Sequence, residues 1–207
     1  MLCSTYYMNI GEMVDWVALR RIVEKFDSVW FPTDMSSPKF WFQARNAKFR
    51  PIVQELCKEC LSGVDELTGS DLTPTNCLIE LKSAGWSDRE ILVLAIMMDQ
   101  MPRNALAINF GPYEEANRMN VRSNIDDSFA LEFATTTRAH VSWKHEADVR
   151  LICFFSLIFR HSNRFDEARE VLLSLRINGE QEEGLKLPPL AEKFWKETQK
   201  RQDEIGI

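Results

Sequence analysis

Two polar segments of the chain carry the residue types that can move protons. The first, residues 99–104, reads Asp-Gln-Met-Pro-Arg-Asn and follows an apolar run at 91–98. The second, residues 160–163, reads Arg-His-Ser-Asn and follows an apolar run at 151–159. A carboxylate acts as a general acid or base once burial and a nearby cation set its pKa. Imidazole exchanges protons near neutral pH, so the two segments are candidates for the halves of one proton-transfer site.

We predict catalytic roles for Asp99, His161 and Arg103. Asp99 is the candidate general base or acid, His161 is its proton partner, and the planar fork of Arg103 can hold a carboxylate. Substrate contacts are predicted for the polar neighbours and for one aromatic side chain: Gln100, Asn104, Arg160, Ser162, Asn163 and Trp30. Acid, amide, arginine and histidine side chains emerging from apolar walls are typical of small-molecule pockets.

This set of residues favours isomerisation, cyclisation or elimination over acyl transfer. Ser162 is a weak nucleophile candidate, because no strand–turn–helix elbow surrounds it and His161 is its immediate neighbour. The chain has no glycine-rich phosphate loop and no dinucleotide-binding motif, so a cofactor-independent reaction on a small molecule is expected.

The same residues also have a purely structural interpretation. Asp99 with Arg103 can be a buried ion pair that fixes a turn, Asn104 can cap a helix, and residues 161–163 can form a helix junction. The protein is then a non-catalytic helical interaction module that binds a partner in a groove.

A third interpretation concerns Asn124, Ser128 and Glu132, which are spaced to share one helix face near Asp126 and Asp127. Helical terpene cyclases hold magnesium and diphosphate with a similar spacing. That function needs a second acidic motif, for which only Asp99 is available, and a solvated helix start explains the pattern better.

No metal site is predicted from the histidines and cysteines. Cys57 and Cys60 have the spacing of half a zinc site or of a redox pair, but no second pair and no strand-to-helix setting accompanies them. They are interpreted as thiols on consecutive turns of an amphipathic helix. His140 and His145 are five residues apart, off the four-residue helical register.

The elements that must position these residues are all predicted to be helices. Apolar residues at helical spacing predict eight segments, at about 11–29, 39–61, 74–84, 87–98, 125–142, 145–160, 164–176 and 190–203. Ser87 and Glu90 form a capping box that begins the fourth helix, and Gly63 is expected to end the second. Because Pro102 cannot continue a helix interior, the chain is expected to turn within 99–103. Ser162 or Asn163 is expected to cap the helix that follows.

This pattern predicts an all-α fold of stacked antiparallel helix hairpins with about 8–9 helices. No strand-like alternation occurs, and only 8 glycines and 8 prolines are present. With 45% hydrophobic residues the chain can bury a sizeable core, and it is predicted to form a single helical domain over 1–207.

Composition also limits the partners. A net charge of −6 and the lack of a lysine and arginine cluster argue against nucleic acid as a partner. The apolar runs are shorter than the roughly 20 residues of a membrane span, and the first residues do not resemble a secretory signal. Five cysteines without a framework pattern fit a reducing compartment. A cytoplasmic protein with a small-molecule ligand is expected, and a homodimer is a permitted assembly.

Residues 92–104, with Trp86 before them, resemble the signature of the bacterial and fungal domain-of-unknown-function family nine hundred and twenty-four. That pattern is an apolar helix followed by Asp-Gln-hydrophobic-Pro-Arg-Asn. Three further segments are similar to its other motifs in the same order: residues 29–31, 40–42 and 159–162. The resemblance covers about residues 27–175. It implies a tetratricopeptide-like helical fold and supplies no established activity.

The chain departs from the family pattern around the histidine. Ile158 stands where the pattern has proline, and Asn163 stands where it has glutamate. The arginine expected soon after the Pro-Arg-Asn triplet is missing, and the family's C-terminal element has no counterpart here, because the segment 177–207 diverges from it. Either this chain runs a specialised version of the chemistry, or it has kept the scaffold without the activity.

Overall fold

The computed structural model describes residues 14–111, 127–146, 148–175 and 187–206, and all regular structure within these ranges is helical. The α-helices are α1 (Trp16–Trp30), α2 (Arg50–Thr68), α3 (Pro74–Ser83), α4 (Asp88–Ile108), α5 (Ser128–His140), α6 (Val149–His161), α7 (Phe165–Leu173) and α8 (Pro189–Ile205). Short 3₁₀ helices lie at Lys39–Phe42 and Trp143–His145. The all-α prediction with about 8–9 helices is confirmed, whereas the tetratricopeptide-like arrangement stays a prediction.

Helix α4 lies at the centre of the fold. Its residues 91–102 are all buried, and α1, α2, α5 and α6 pack around it. Among the described residues, α4 is the one helix whose length and composition would allow it to cross a membrane. However, 89% of its most apolar stretch of 18 residues is buried inside the protein. This burial is consistent with the core helix of a soluble protein.

The prediction that the chain turns within 99–103 is wrong, because α4 continues through Pro102 for six more residues. A proline inside a helix removes one backbone hydrogen bond and typically costs about 3 kcal/mol. The apolar surface that α4 buries against four other helices outweighs this cost. The helix ends instead at Asn109, which adopts a left-handed conformation with φ of 55°.

Both ends of α4 are satisfied by side chains. At the start, Ser87 and Glu90 form the predicted capping box. At the end, the Arg45 Nε donates to the Ala107 carbonyl at 3.1 Å, and the Arg50 Nη2 donates to the Ile108 carbonyl at 2.8 Å. Cationic donors suit these unpaired carbonyls and the negative end of the helix dipole.

The single helix predicted at 39–61 is also wrong, since the structure has a 3₁₀ helix and then α2. Pro51 lies in the first turn of α2, where its missing N–H costs nothing. Gly63 lies inside α2 and does not end it. A Cβ at Gly63 would be only 3.0 Å from the Leu19 Cδ1, so glycine permits the close approach of α1 to α2.

One cluster of buried apolar side chains includes residues from all eight helices. Aromatic rings form part of it: Phe154 of α6 contacts Trp30 of α1 and Phe194 of α8, with ring centroids 5.8 and 5.7 Å apart. Helix α8 packs on α6 and α7, and this placement puts its charged face beside the end of α6.

Candidate functional site

Asp99 lies in the middle of α4, is fully buried, and accepts hydrogen bonds from three side chains. The Gln100 Nε2 donates to Oδ2 at 2.6 Å, and the Arg103 Nε donates to Oδ1 at 3.0 Å. The Nδ1 of His161 lies 3.0 Å from Oδ1 and 2.9 Å from Oδ2. The structure therefore brings Asp99, Arg103 and His161 together in one cluster.

The continuity of α4 and the burial of α6 explain this meeting. Residues 150–159 of α6 are all buried, and α6 packs along α4. His161 is the last residue of α6, where the side chain emerges from the core beside Asp99. Arg103 lies one helical turn after Asp99 and also pairs with Asp127, the residue before α5.

Asp99 is ionised despite its burial. Desolvation opposes the charged form, but at acidic pH, where imidazole carries a charge, the charge and hydrogen bond of His161, followed by those of Arg103, lower the pKa of Asp99 to about 2. Asp127 behaves in the opposite way: burial, helped by the negative charge of Asp99, raises its pKa, and Arg103 offsets this only in part. Two carboxylates around one arginine therefore differ in their affinity for a proton.

The tautomer of His161 follows from its partner. An ionised carboxylate can only accept, so the Nδ1 of His161 carries a proton that it donates to Asp99. In the neutral ring, Nε2 then bears the lone pair, and it has no partner among the described residues. The His161 side chain is about one quarter exposed, which leaves Nε2 available to a ligand as a general base.

His161 lines a cleft of about 750 Å³. The lining residues come from the segment before α2, from α4, α6 and α8, and from the start of α5: Arg45, Arg103, Leu106, Ala107, Asp127, Arg160, His161, Glu197, Lys200, Arg201 and Glu204. The volume suits a small molecule. Asp99 is not among the lining residues and reaches the cleft through His161.

Of the predicted substrate-contact residues, only Arg160 lines this cleft. Gln100 and Asn104 are buried; Gln100 holds Asp99, and the Asn104 Nδ2 donates to the Gln100 carbonyl at 2.7 Å. Trp30 is fully buried in the aromatic core, away from the lining set.

The junction after His161 differs from the expectation. The Ser162 hydroxyl donates to the Ile158 carbonyl at 3.2 Å, and Asn163 is exposed with φ of 59°. Neither residue caps α7, whose N-cap is Arg164 without a side-chain capping bond. Asp166 and Glu167 lie in the first turn of α7, where their negative charges stabilise the positive end of the helix dipole. These charges stabilise the start of α7 in place of a side-chain cap.

Sequence reasoning missed most of the cleft wall. The sequence predicts an amphipathic helix at about 190–203 but no role in a site for its charged face, and it predicts no role for Arg45. Charges at helical spacing are typical of any solvated helix, so the sequence held no signal that distinguished these side chains. Asp127 was noted only as an acidic position near the start of a helix.

Metal-binding alternatives find little support in the described part of the chain. It contains no group of three or more His, Cys, Asp or Glu side chains placed to hold a metal ion. Ser128 and Glu132 are exposed on α5, while Asn124 and Asp126 lie outside the described residues. Cys57 and Cys60 are buried on α2, and burial raises the pKa of the Cys57 thiol to about 12, which suits a packing role.

No family model, no curated protein and no solved structure matches the chain. The function is therefore inferred from the chemistry of the cleft.

Proposed function

We propose that this protein is an enzyme that transfers protons on a small molecule bound in the cleft, with His161 as general base and acid. One observation carries the proposal: both oxygens of the fully buried Asp99 lie within 3.0 Å of the His161 Nδ1, while the ring lines the cleft. A buried carboxylate that fixes a histidine tautomer is a recurring arrangement in proton-transfer catalysis.

The proposed reaction begins with neutral His161. Its Nε2 takes a proton from a C–H or O–H group of the substrate, and the resulting imidazolium is stabilised by the Asp99 carboxylate. Arg160, which precedes His161 and lines the same cleft, attracts a negatively charged group of the substrate. The Nε2 then returns the proton to another substrate atom in an isomerisation or cyclisation, or to a leaving group in an elimination.

Asp99 and Arg103 act as positioning residues in this scheme. Asp99 orients the imidazole, and Arg103 keeps Asp99 ionised and holds it beside Asp127. Acyl transfer is disfavoured, because the Ser162 hydroxyl donates to the Ile158 carbonyl of α6, the helix that Ser162 follows. Membership of family nine hundred and twenty-four, cytoplasmic location and a homodimer stay predictions, and the interaction module is the alternative that the following test separates.

Proton transfer is tested in heavy water with the small-molecule fraction of a cell extract. The purified wild-type protein is expected to convert at least one compound or to introduce deuterium into it, detected by mass spectrometry. His161→Gln is expected to lower this rate by about 100-fold or more, which is typical for loss of a general base. His140→Gln is the matched control, because His140 is exposed on α5 and its ring bonds the Thr136 carbonyl of the same helix.

Thermal unfolding of each variant separates chemistry from folding. A His161→Gln protein that is folded and as active as the wild type contradicts the proposal. A folded wild-type protein that leaves every compound unchanged and unlabelled favours the interaction module.

A further inference from the structure

The charged side chains that line the cleft fall into two sets. The inner set consists of Arg103 and Asp127, which pair with each other, and Arg103 is bonded from behind by the buried Asp99 as well. The outer set has four cations, Arg45, Arg160, Lys200 and Arg201, and only two carboxylates, Glu197 and Glu204. This excess of positive charge occurs in a chain whose net charge is −6.

Arg160 is the most buried cation of the outer set, with a side chain only 18% exposed. Its guanidinium lies 5.9 Å from the centre of the Phe194 ring, and its one hydrogen bond to a described residue runs from Nη1 to Glu197 at 3.3 Å. Burial lowers the pKa of Arg160, and the nearby carboxylates of Glu197 and Asp99 offset this desolvation only in part. An arginine carries five N–H donors, so most of them stay available to a ligand.

The remaining outer cations are paired weakly. Lys200 and Arg201 approach the same residue, Glu204, at 3.8 and 3.6 Å, which is longer than a hydrogen bond. All three side chains are at least half exposed, so these pairs contribute little. Arg45 bonds a backbone carbonyl and has no carboxylate partner among the described residues.

We infer that the cleft selects a small anionic substrate, whose carboxylate or phosphate group binds Arg160 together with Lys200 and Arg201. This substrate class rests on the proposed function for its reacting end, which is presented to the neighbouring His161. Carboxylate and phosphate match the planar donor fork of arginine. A neutral ligand would not compensate the desolvation of the partly buried Arg160 guanidinium, whereas an anion would.

Binding is measured with two simple probes, inorganic phosphate and malonate, added to the ¹⁵N-labelled full chain at pH 7. Sodium chloride holds the ionic strength constant, so general screening does not change during the titration. Saturable amide shifts are expected for at least one probe. Arg160→Gln is expected to weaken binding about tenfold, as is the double variant Lys200→Gln with Arg201→Gln.

Two control variants sharpen the result. Lys196→Gln removes the same charge from α8 at a side chain that is 73% exposed and does not line the cleft, so binding is expected to change less than about twofold. His161→Gln is expected to bind the probes as the wild type does, because the probes occupy the outer set only. Anion binding can therefore succeed even where proton transfer fails.

Each result of the phosphate and malonate titrations either supports or overturns the inference. Tighter binding of phosphate or of malonate supports the inference and assigns the anion. Absence of saturable binding for both probes overturns it, as does wild-type affinity in a folded Arg160→Gln protein. Should Arg160→Gln fail to fold, the double variant decides, since its side chains are exposed and their loss leaves the core intact.

Discussion

At the scale of residues, Asp99 determines the properties of the candidate site. A carboxylate with no exposed surface is costly to charge, and three side-chain donors compensate that cost. Removing the charge takes away the anion that the His161 Nδ1 and the Arg103 Nε share and leaves them a weaker acceptor. The same carboxylate thus couples the stability of the core to the orientation of the imidazole.

The lowered pKa of Asp99 predicts a pH dependence of stability. Its pKa is about 2 in the folded protein and 3.8 for the free group, so its contribution is complete above about pH 4 and is lost as the pH falls through about 2. The shift corresponds to about 2 kcal/mol. Urea unfolding between pH 2 and 7 should show a loss of stability that is smaller by about this amount in Asp99→Asn, because Glu90, whose pKa is also lowered to about 2, titrates in both proteins.

Two comparisons make the pH experiment specific. At pH 7, Asp99→Asn should lower the free energy of unfolding by about 3 kcal/mol, because Arg103 and His161 lose a buried partner. Asp71→Asn, at an exposed carboxylate, should leave both the stability and its pH dependence close to those of the wild type. Parallel pH profiles for Asp99→Asn and the wild type would contradict the assignment.

The contacts of Asp99 with Arg103 and with His161 were predictable from the sequence only in part. Asp99 and Arg103 are four residues apart on a helix, so their contact follows from spacing. The contact between Asp99 and His161 spans 62 positions and depends on how α6 packs along α4. Chemistry suggested that the two belong together, but only the three-dimensional arrangement gives the distance.

At the scale of elements, the sequence predicted the helices well and several of their ends poorly. Capping chemistry is local, so Ser87 and Glu90 correctly marked the start of α4. Pro102 and Gly63 do not end their helices as predicted, because packing around α4 and the close approach of α1 to α2 override their local preferences. Tertiary burial is not visible in a short window of sequence.

Pro102 is expected to limit the stability of α4. Pro102→Ala supplies an N–H that can donate to the Met98 carbonyl, and the gain should exceed the lost packing of the proline ring. We expect a rise of about 1–2 kcal/mol in the free energy of unfolding, measured by urea titration.

Pro51→Ala is the control for this substitution, because Pro51 lies in the first turn of α2, where no intrahelical bond is missing. Its effect should stay within about 0.5 kcal/mol. A destabilised Pro102→Ala protein would show that the ring packs better in the core than its lost hydrogen bond suggests.

At the scale of the whole molecule, the cleft exists because α8 returns to the end of α6. His161 and Arg160 come from α6, Arg103 comes from α4, and Lys200 and Arg201 come from α8. No single segment of the sequence contains more than a few of the residues that line the cleft. The composition correctly indicated a helical protein with a large core, whereas the identity of the cleft residues required the packing of distant helices.

Phe194 attaches α8 to the rest of the protein. Its side chain is 1% exposed, contacts the ring of Phe154, and lies under the Arg160 guanidinium. Phe194→Ala should lower the free energy of unfolding by about 3–4 kcal/mol in chemical denaturation. It should also weaken binding of phosphate or malonate, because Arg160 loses its support and α8 loses its anchor.

Lys196→Ala, on the same helix but exposed, should change stability by less than about 0.5 kcal/mol. Unchanged stability in Phe194→Ala would mean that α8 is held by other contacts and that the cleft wall does not depend on this ring.

The buried bond between Asp99 and His161 also restricts how this protein can change over evolutionary time. Replacing His161 alone leaves a charged group in the core with one donor fewer, and replacing Asp99 alone leaves the imidazole and Arg103 without their acceptor. Single steps away from the pair therefore pass through a less stable protein, whereas the exposed charges of α8 can drift with little penalty. Descendants of this sequence should keep or lose the two residues together, while the rim of the cleft changes to suit different ligands.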